Sequence, residues 1–248
     1  MKRAFERLRS FAIWVIALPV FATSCLTILL VALFYRGRRL EGLIKACCLS
    51  VLFVSGIRIR VRGQENFEAG RRYVVMMNHV NILDPLVFYA AFPGLARGIE
   101  EESHFRWPLY GAVLRRLGMV PIDRKNSLKA RESIKLAADL VRSRKDYSIA
   151  ILPEGTRTLD GKLGPFKRGG FHLALETGLD ILPIVQKGGY RIIHKGSLLI
   201  RPGRVDLVIE PAVSVAGLCK EDIGKLADRV RAVFLHVLVE SENGLGTA

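Results

Sequence analysis

The chain is poor in the residues that staple or metallate small domains. Its four cysteines are Cys25, Cys47, Cys48 and Cys219, with no Cys-x-x-Cys pair and no zinc-ligand spacing. Three of them lie in apolar sequence near the N-terminus, so they read as small hydrophobes in a reducing compartment. No metal and no bound cofactor is expected. Acidic residues are scarce: 23 Asp and Glu stand against 38 Lys and Arg, a formal net charge of +15. That excess favours anionic partners. Nucleic acid is not among those expected, because no nucleic-acid motif and no alternation of basic and aromatic residues accompanies the charge. Internal repeats and low-complexity tracts are absent. So is a P-loop, since no Gly-rich turn ends in Gly-Lys-Ser/Thr.

The longest stretch without charge is residues 11–35. As a helix, at about 1.5 Å per residue, it is long enough for a hydrocarbon core of roughly 30 Å. A signal-peptide core, about 7–15 residues, is shorter. Ala22-Thr23-Ser24-Cys25 faintly resembles a lipoprotein cleavage site, but the apolar sequence continues through residues 26–33. Lys2, Arg3, Arg7 and Arg9 precede the run and Arg36, Arg38 and Arg39 follow it, so charge does not orient a simple span. A second apolar stretch, residues 46–57, is too short to cross alone. Residues 1–57 are therefore expected to insert as two helices from one side, a hairpin or re-entrant pair, with a single span as the alternative. Pro19 is a possible kink. Anionic lipid suits the flanking charge, at about 1 kcal/mol per basic residue.

From residue 58 the texture changes, and residues 58–248 are read as a separate domain. Residues 57–62 alternate apolar and basic, the pattern of a strand with one wet face. Apolar runs predict further strands at 73–77, 119–122, 147–152, 181–186 and 205–209. Helical periodicity predicts helices at 84–92, 107–117, 127–143, 169–176 and 221–240, the first opened by Asp84-Pro85. Strands alternating with helices predict an α/β fold, a central mixed sheet covered by helices.

Chemistry concentrates after two predicted strands. In Asn78-His79-Val80-Asn81-Ile82-Leu83-Asp84-Pro85, an imidazole follows a buried strand at its carboxyl end, where open α/β sheets bind ligands. Neutral His79 takes a proton from an alcohol if its other ring nitrogen is held, and a loop that folds Asp84 back supplies that partner. A turn histidine beside an ordinary helix cap fits the same residues. In Pro153-Glu154-Gly155-Thr156-Arg157, Gly155 permits close backbone approach, Thr156 offers a hydroxyl and Arg157 a fork for phosphate oxygens. Glu154 would hold Arg157 or bind a substrate hydroxyl; a surface turn with a local ion pair is the plainer reading. Arg124, just beyond a strand, is a second candidate phosphate clamp. His104, His172, His194 and His236 lack a partner at a diagnostic spacing and read as structural.

This set resembles the glycerolipid acyltransferases of the 1-acylglycerol-3-phosphate acyltransferase (PlsC-like) family. Residues 78–85 resemble its His-x4-Asp block. Gly118-Met119-Val120-Pro121-Ile122-Asp123-Arg124 is similar to its Gly-x-x-Phe-Ile-Asp-Arg block, with Pro121 in place of phenylalanine. Residues 153–157 match Pro-Glu-Gly-Thr-Arg, and Ile181-Leu182-Pro183-Ile184-Val185 is similar to an apolar block around proline. Phe166-Lys167-Arg168-Gly169 sits where the family places Phe-Lys-x-Gly. The blocks follow the family's order.

The resemblance implies that His79 is the general base and Asp84 its orienting partner, with direct attack on an acyl thioester. It implies that Arg124, Glu154, Gly155, Thr156 and Arg157 bind a glycerol phosphate, and that Pro183 and its neighbours line the acyl side. The expected reaction moves a fatty acyl group from acyl-CoA or acyl carrier protein to the sn-2 hydroxyl of lysophosphatidic acid, giving phosphatidic acid. It is placed at a membrane, with the catalytic domain on the cytoplasmic face. Another lysophospholipid or a lyso-ornithine lipid is an alternative acceptor, and a non-catalytic lipid-binding protein an alternative role. Glu100-Glu101-Glu102, where many relatives carry lysine, is expected to repel a phosphate placed nearby.

Overall fold

The structure, a computed structural model, describes residues 2–243. Two N-terminal helices, α1 (Lys2–Val31) and α2 (Arg38–Val54), form a hairpin. α1 runs unbroken through Pro19. It is the only described helix long and apolar enough to cross a membrane; α2 returns along it, with Cys47 Sγ 4.0 Å from the Ser24 carbonyl oxygen.

Seven strands follow: β1 (Ile57–Arg62), β2 (Val74–Met77), β3 (Ala96–Glu101), β4 (Val120–Ile122), β5 (Ser148–Ile151), β6 (Ile181–Lys187) and β7 (Gly203–Ile209). Their order across one sheet is β1-β7-β6-β2-β5-β3-β4. The five strands from β6 to β4 are mutually parallel, whereas β6 and β7 pair antiparallel and β1 runs with β7. The sheet is mixed, as expected, with helices on both faces.

Tyr73 to Met77 is continuously apolar because both faces of β2 are covered. Val75 and Met77 pack into a core shared with α1, α2, α3 (Asp84–Ala91) and α4 (Tyr110–Leu117). Val74 and Met76 pack into the opposite core with α5 (Ser127–Ser143), α6 (Gly169–Thr177) and α8 (Ile223–Asn243). A short α7 (Gly189–Ile192) follows β6.

The hairpin shares the first core rather than standing apart. Leu40, Ile44, Cys48 and Leu52 are buried in it. Trp14 Nε1 donates to the Leu198 carbonyl at 2.7 Å, and the Ile200 N–H donates to Ser10 Oγ at 2.8 Å. Arg97, stacked on the Tyr147 ring, pairs with Glu41 of α2. The other side of the hairpin remains apolar and exposed, through Phe5, Phe11, Leu18, Leu30, Phe34 and Phe53.

Two local expectations change. β3 was not foreseen, because Ala96-Arg97-Gly98-Ile99-Glu100-Glu101 carries neither an apolar run nor clean alternation; pairing with β5 and β4 imposes the strand. The helix expected from residue 107 begins only at Tyr110, since Pro108 disfavours a helical Trp107.

Candidate active site

The site lies at the carboxyl ends of three adjacent parallel strands, β5, β2 and β6. β2 delivers Asn78 and His79, and the chain then bends into α3. Asp84 is the first residue of α3 and Leu83 its N-cap, so the carboxylate does not cap the helix it opens. It turns back over the 78–83 loop. There Asp84 Oδ2 lies 2.7 Å from His79 Nδ1 and accepts the N–H groups of Val80 at 2.6 Å and Asn81 at 3.1 Å. A carboxylate that already accepts two N–H groups takes the Nδ1 proton as a third donor, which leaves Nε2, with no hydrogen bond among the described residues, to accept. Asp84 is wholly buried and His79 is 8% exposed. The loop is held further by Asn81, whose Oδ1 accepts the Leu83 N–H at 2.8 Å and whose Nδ2 donates to the Gly189 carbonyl at 2.9 Å.

β5 delivers the second segment directly beside the first. Gly155 has φ +67°, a conformation that favours glycine, so the chain turns sharply there. The Thr158 N–H donates to the His79 carbonyl at 3.0 Å. Glu154 is buried; its Oε1 accepts the His79 N–H and its Oε2 the Gly164 N–H, each at 2.7 Å. Burial pushes its carboxyl above the ordinary range, while these two bonds act the other way. Glu154 therefore ties the two loops together and has no bond to Arg157, the role given to it by spacing alone.

Arg157 is half-buried, with no ion pair among the described residues. Thr156 is exposed, and its Oγ1 accepts from Lys195 Nζ at 3.1 Å. The Lys167 stem lies against Gly155, where an added Cβ would be 3.3 Å from Lys167 Cγ. The turn thus carries three cations, of which the sequence singled out only Arg157 for a phosphate. Lys195 gave no signal, being 38 residues downstream in an irregular segment.

Arg124 is set further along the same edge. It follows β4, three strand positions from β2, roughly 14 Å at about 4.8 Å per strand. Its Nε lies 3.0 Å from Glu101 Oε2. The acidic run is thereby partly neutralised: Glu101 pairs with Arg124, and Glu100 Oε1 lies 2.7 Å from His104 Nδ1. Glu100 gives His104 the i, i+4 partner that sequence reading denied it.

An apolar pocket opens beside Asp84 and Pro85, about 490 Å³ when the solvent space at its opening is counted, and runs between the sheet and α3–α4 past Tyr89, Gly98 and Leu114. A second, about 510 Å³ counted in the same way, adjoins it across Pro85, Tyr89, Tyr110, Leu114 and Met119, and reaches Cys25, Ile44 and Cys48 of the hairpin. Tyr89 Oη donates to Met119 Sδ at 3.3 Å, and burial raises its phenol far above the ordinary range. Pro183 was expected to line the acyl side. It sits instead within β6, in register with Met76, and lines neither cavity.

The arrangement is an imidazole held by a buried carboxylate, with that carboxylate lining an apolar cavity and a cationic turn following the neighbouring strand β5. Residues 58–187 match the family model described as Acyltransferase. The 1-acyl-sn-glycerol-3-phosphate acyltransferase alpha of Bos taurus is 32% identical over 236 residues, covering 94% of this chain and 79% of the relative. The 1-acyl-sn-glycerol-3-phosphate acyltransferase of Borreliella burgdorferi is 29% identical, covering 76% and 75%. The crystal structure of the 1-acyl-sn-glycerophosphate (LPA) acyltransferase PlsC from Thermotoga maritima has the same fold, with a TM-score of 0.82 over 98% of both chains at 24% identity. With more than half its length matched to the family model and a relative above 30% identity, the chain belongs to the acyltransferase family.

Proposed function

We propose that the protein transfers a fatty acyl group to the sn-2 hydroxyl of 1-acyl-sn-glycerol 3-phosphate, giving phosphatidic acid. The names of its relatives supply the acceptor. The observation that carries the chemistry is the His79–Asp84 pair, whose carboxylate lines an apolar cavity. His79 Nε2 accepts the hydroxyl proton as the oxygen attacks the thioester carbonyl. Asp84 stabilises the imidazolium that forms. The C–S bond breaks, and the departing thiolate takes the proton back from His79. No acyl-enzyme intermediate is involved.

Arg157, Lys195 and Lys167 face the phosphate in this reading, with Thr156 between them. Arg124 serves the same anion from the far side while remaining paired to Glu101. The cavities receive an acyl chain. The donor is acyl-CoA or acyl carrier protein. The exposed apolar side of the hairpin lies in the lipid, and the sheet domain stands on the cytoplasmic face, where such thioesters are made.

The test is purified protein in detergent, offered each donor with a panel of lysolipids while free thiol is followed. Thiol release with lysophosphatidic acid and not with lyso-ornithine or choline-bearing lysolipids is the expected result. Release only with another headgroup would move the acceptor, and none with any acceptor would leave a lipid-binding protein.

A further inference from the structure

The two oxygens of Asp84 are served unequally. Oδ2 has three neighbours from its own loop: His79 Nδ1 and the N–H groups of Val80 and Asn81. Oδ1 has one donor among the described residues, Gln186 Nε2 at 3.0 Å, which comes from β6. Gln186 is 1% exposed, and its backbone is clamped by Asn78. Asn78 Oδ1 accepts the Gln186 N–H at 2.7 Å, while Asn78 Nδ2 donates to its carbonyl at 3.0 Å.

Two further observations show that the amide is held there at a cost. Gln186 Oε1 is buried without a hydrogen-bond partner. A flipped amide would set that oxygen against Asp84 Oδ1, so the orphan acceptor follows from keeping the NH2 on the carboxylate. Gly189 makes the space: a Cβ there would lie 2.2 Å from Gln186 Nε2. Glutamine in an otherwise apolar strand core, Ile181-Leu182-Pro183-Ile184-Val185-Gln186, is a polar group retained where packing alone favours a hydrophobe.

We propose that Gln186 is a positioning residue for acyl transfer, fixing the plane of Asp84 so that Oδ2 stays on His79 Nδ1, with Gly189 as the opening that admits its amide. This rests on the reading of His79 as the base. Gln186 touches no substrate; it acts through Asp84. The other ionisable group against the pair is Glu154, through its bond to the His79 backbone. Lys187, next in β6, is directed away, to the Val237 carbonyl.

Gln186→Met keeps the length and removes the donor. It is expected to lower kcat by roughly 10- to 100-fold, the range for groups that orient a reactive ligand from behind, with KM for both substrates unchanged. The acid limb of kcat/KM should move to higher pH, because a carboxylate with one donor fewer holds an adjacent imidazolium more strongly. Gly189→Ala should reproduce the shift, and the double variant should be no worse than the poorer single one. The His79 Nδ1 proton resonance, read in histidine-labelled protein, should also move in Gln186→Met. An unmoved resonance, or a lowered kcat with an unmoved acid limb, would overturn the proposal. The resonance decides the matter even if wild-type protein releases no thiol, a result that would sink the acyl-transfer reading instead.

Discussion

The backbone N–H of His79 donates to Glu154 Oε1 at 2.7 Å, so one buried carboxylate spans the two loops that carry the imidazole and the cations. The spacing of His79 and the cationic turn is thus set by the Glu154 side chain.

His79→Ala is expected to abolish acyl transfer without unfolding the protein, since the ring packs at a loop and not in either core. Asp84→Asn should cost on the order of 10³- to 10⁴-fold in kcat, because an amide has no charge to stabilise the imidazolium, and one that keeps its oxygen on Val80, Asn81 and His79 Nδ1 turns its NH2 against the Gln186 amide. Thiol release by matched amounts of detergent-purified protein measures both. Asp84→Asn activity within tenfold of wild type would contradict the role.

Glu154→Ala should destabilise the fold, at about 1–3 kcal/mol for each backbone N–H left unpaired, at His79 and Gly164. The pH dependence has a definite sign. With its carboxyl raised above the ordinary 4.5, chiefly by burial, the folded chain holds this proton more tightly than the unfolded chain. The associated stabilisation is full below about pH 4.5 and lost as pH rises through the raised value. Glu154→Gln cannot titrate, so the melting temperature of wild type minus that of this variant should fall across that window.

Arg157→Ala should raise KM for phosphate-bearing acceptors by about 10- to 100-fold, the worth of a charged hydrogen bond of roughly 1.5–3 kcal/mol, and leave phosphate-free acceptors unaffected. Arg124→Ala should do less, since Glu101 already engages its guanidinium. Acceptor titrations at saturating donor separate the two, and equal losses on both acceptor classes would remove Arg157 from the phosphate.

Gly98 lines the first cavity, where an added Cβ would meet Tyr89 Oη at 3.4 Å, ordinary contact distance. Gly98→Val should therefore fold and displace the preference toward shorter acyl donors. Each methylene the cavity no longer accepts costs about 0.8 kcal/mol, close to fourfold in kcat/KM. A donor series of increasing chain length reads this directly, and an unchanged optimum would place the chain elsewhere.

The sequence disclosed what is local. Asn78 to Asp84 and Pro153 to Arg157 were legible because each follows an apolar strand and carries its chemistry within a few positions. The mixed sheet was legible from the alternation of elements. Gln186 and Lys195 were not, because their importance comes from strand order: β6 lies beside β2 across more than a hundred residues of chain. Glu154 was legible as a site residue, but its partner was not: spacing offers Arg157, and only the fold brings the His79 and Gly164 amides to its carboxylate. The acidic run on β3 misled for the same reason, its partners being His104 and Arg124.

The wall of the second cavity is built partly from Cys25, Ile44 and Cys48 of the same hairpin whose outer side is apolar and exposed. A substitution that repacks those two helices against the sheet therefore also reshapes the space beside Tyr89 and Met119. The hairpin is thus a wall of the pocket as well as an apolar outer face, and its two sides cannot be altered independently.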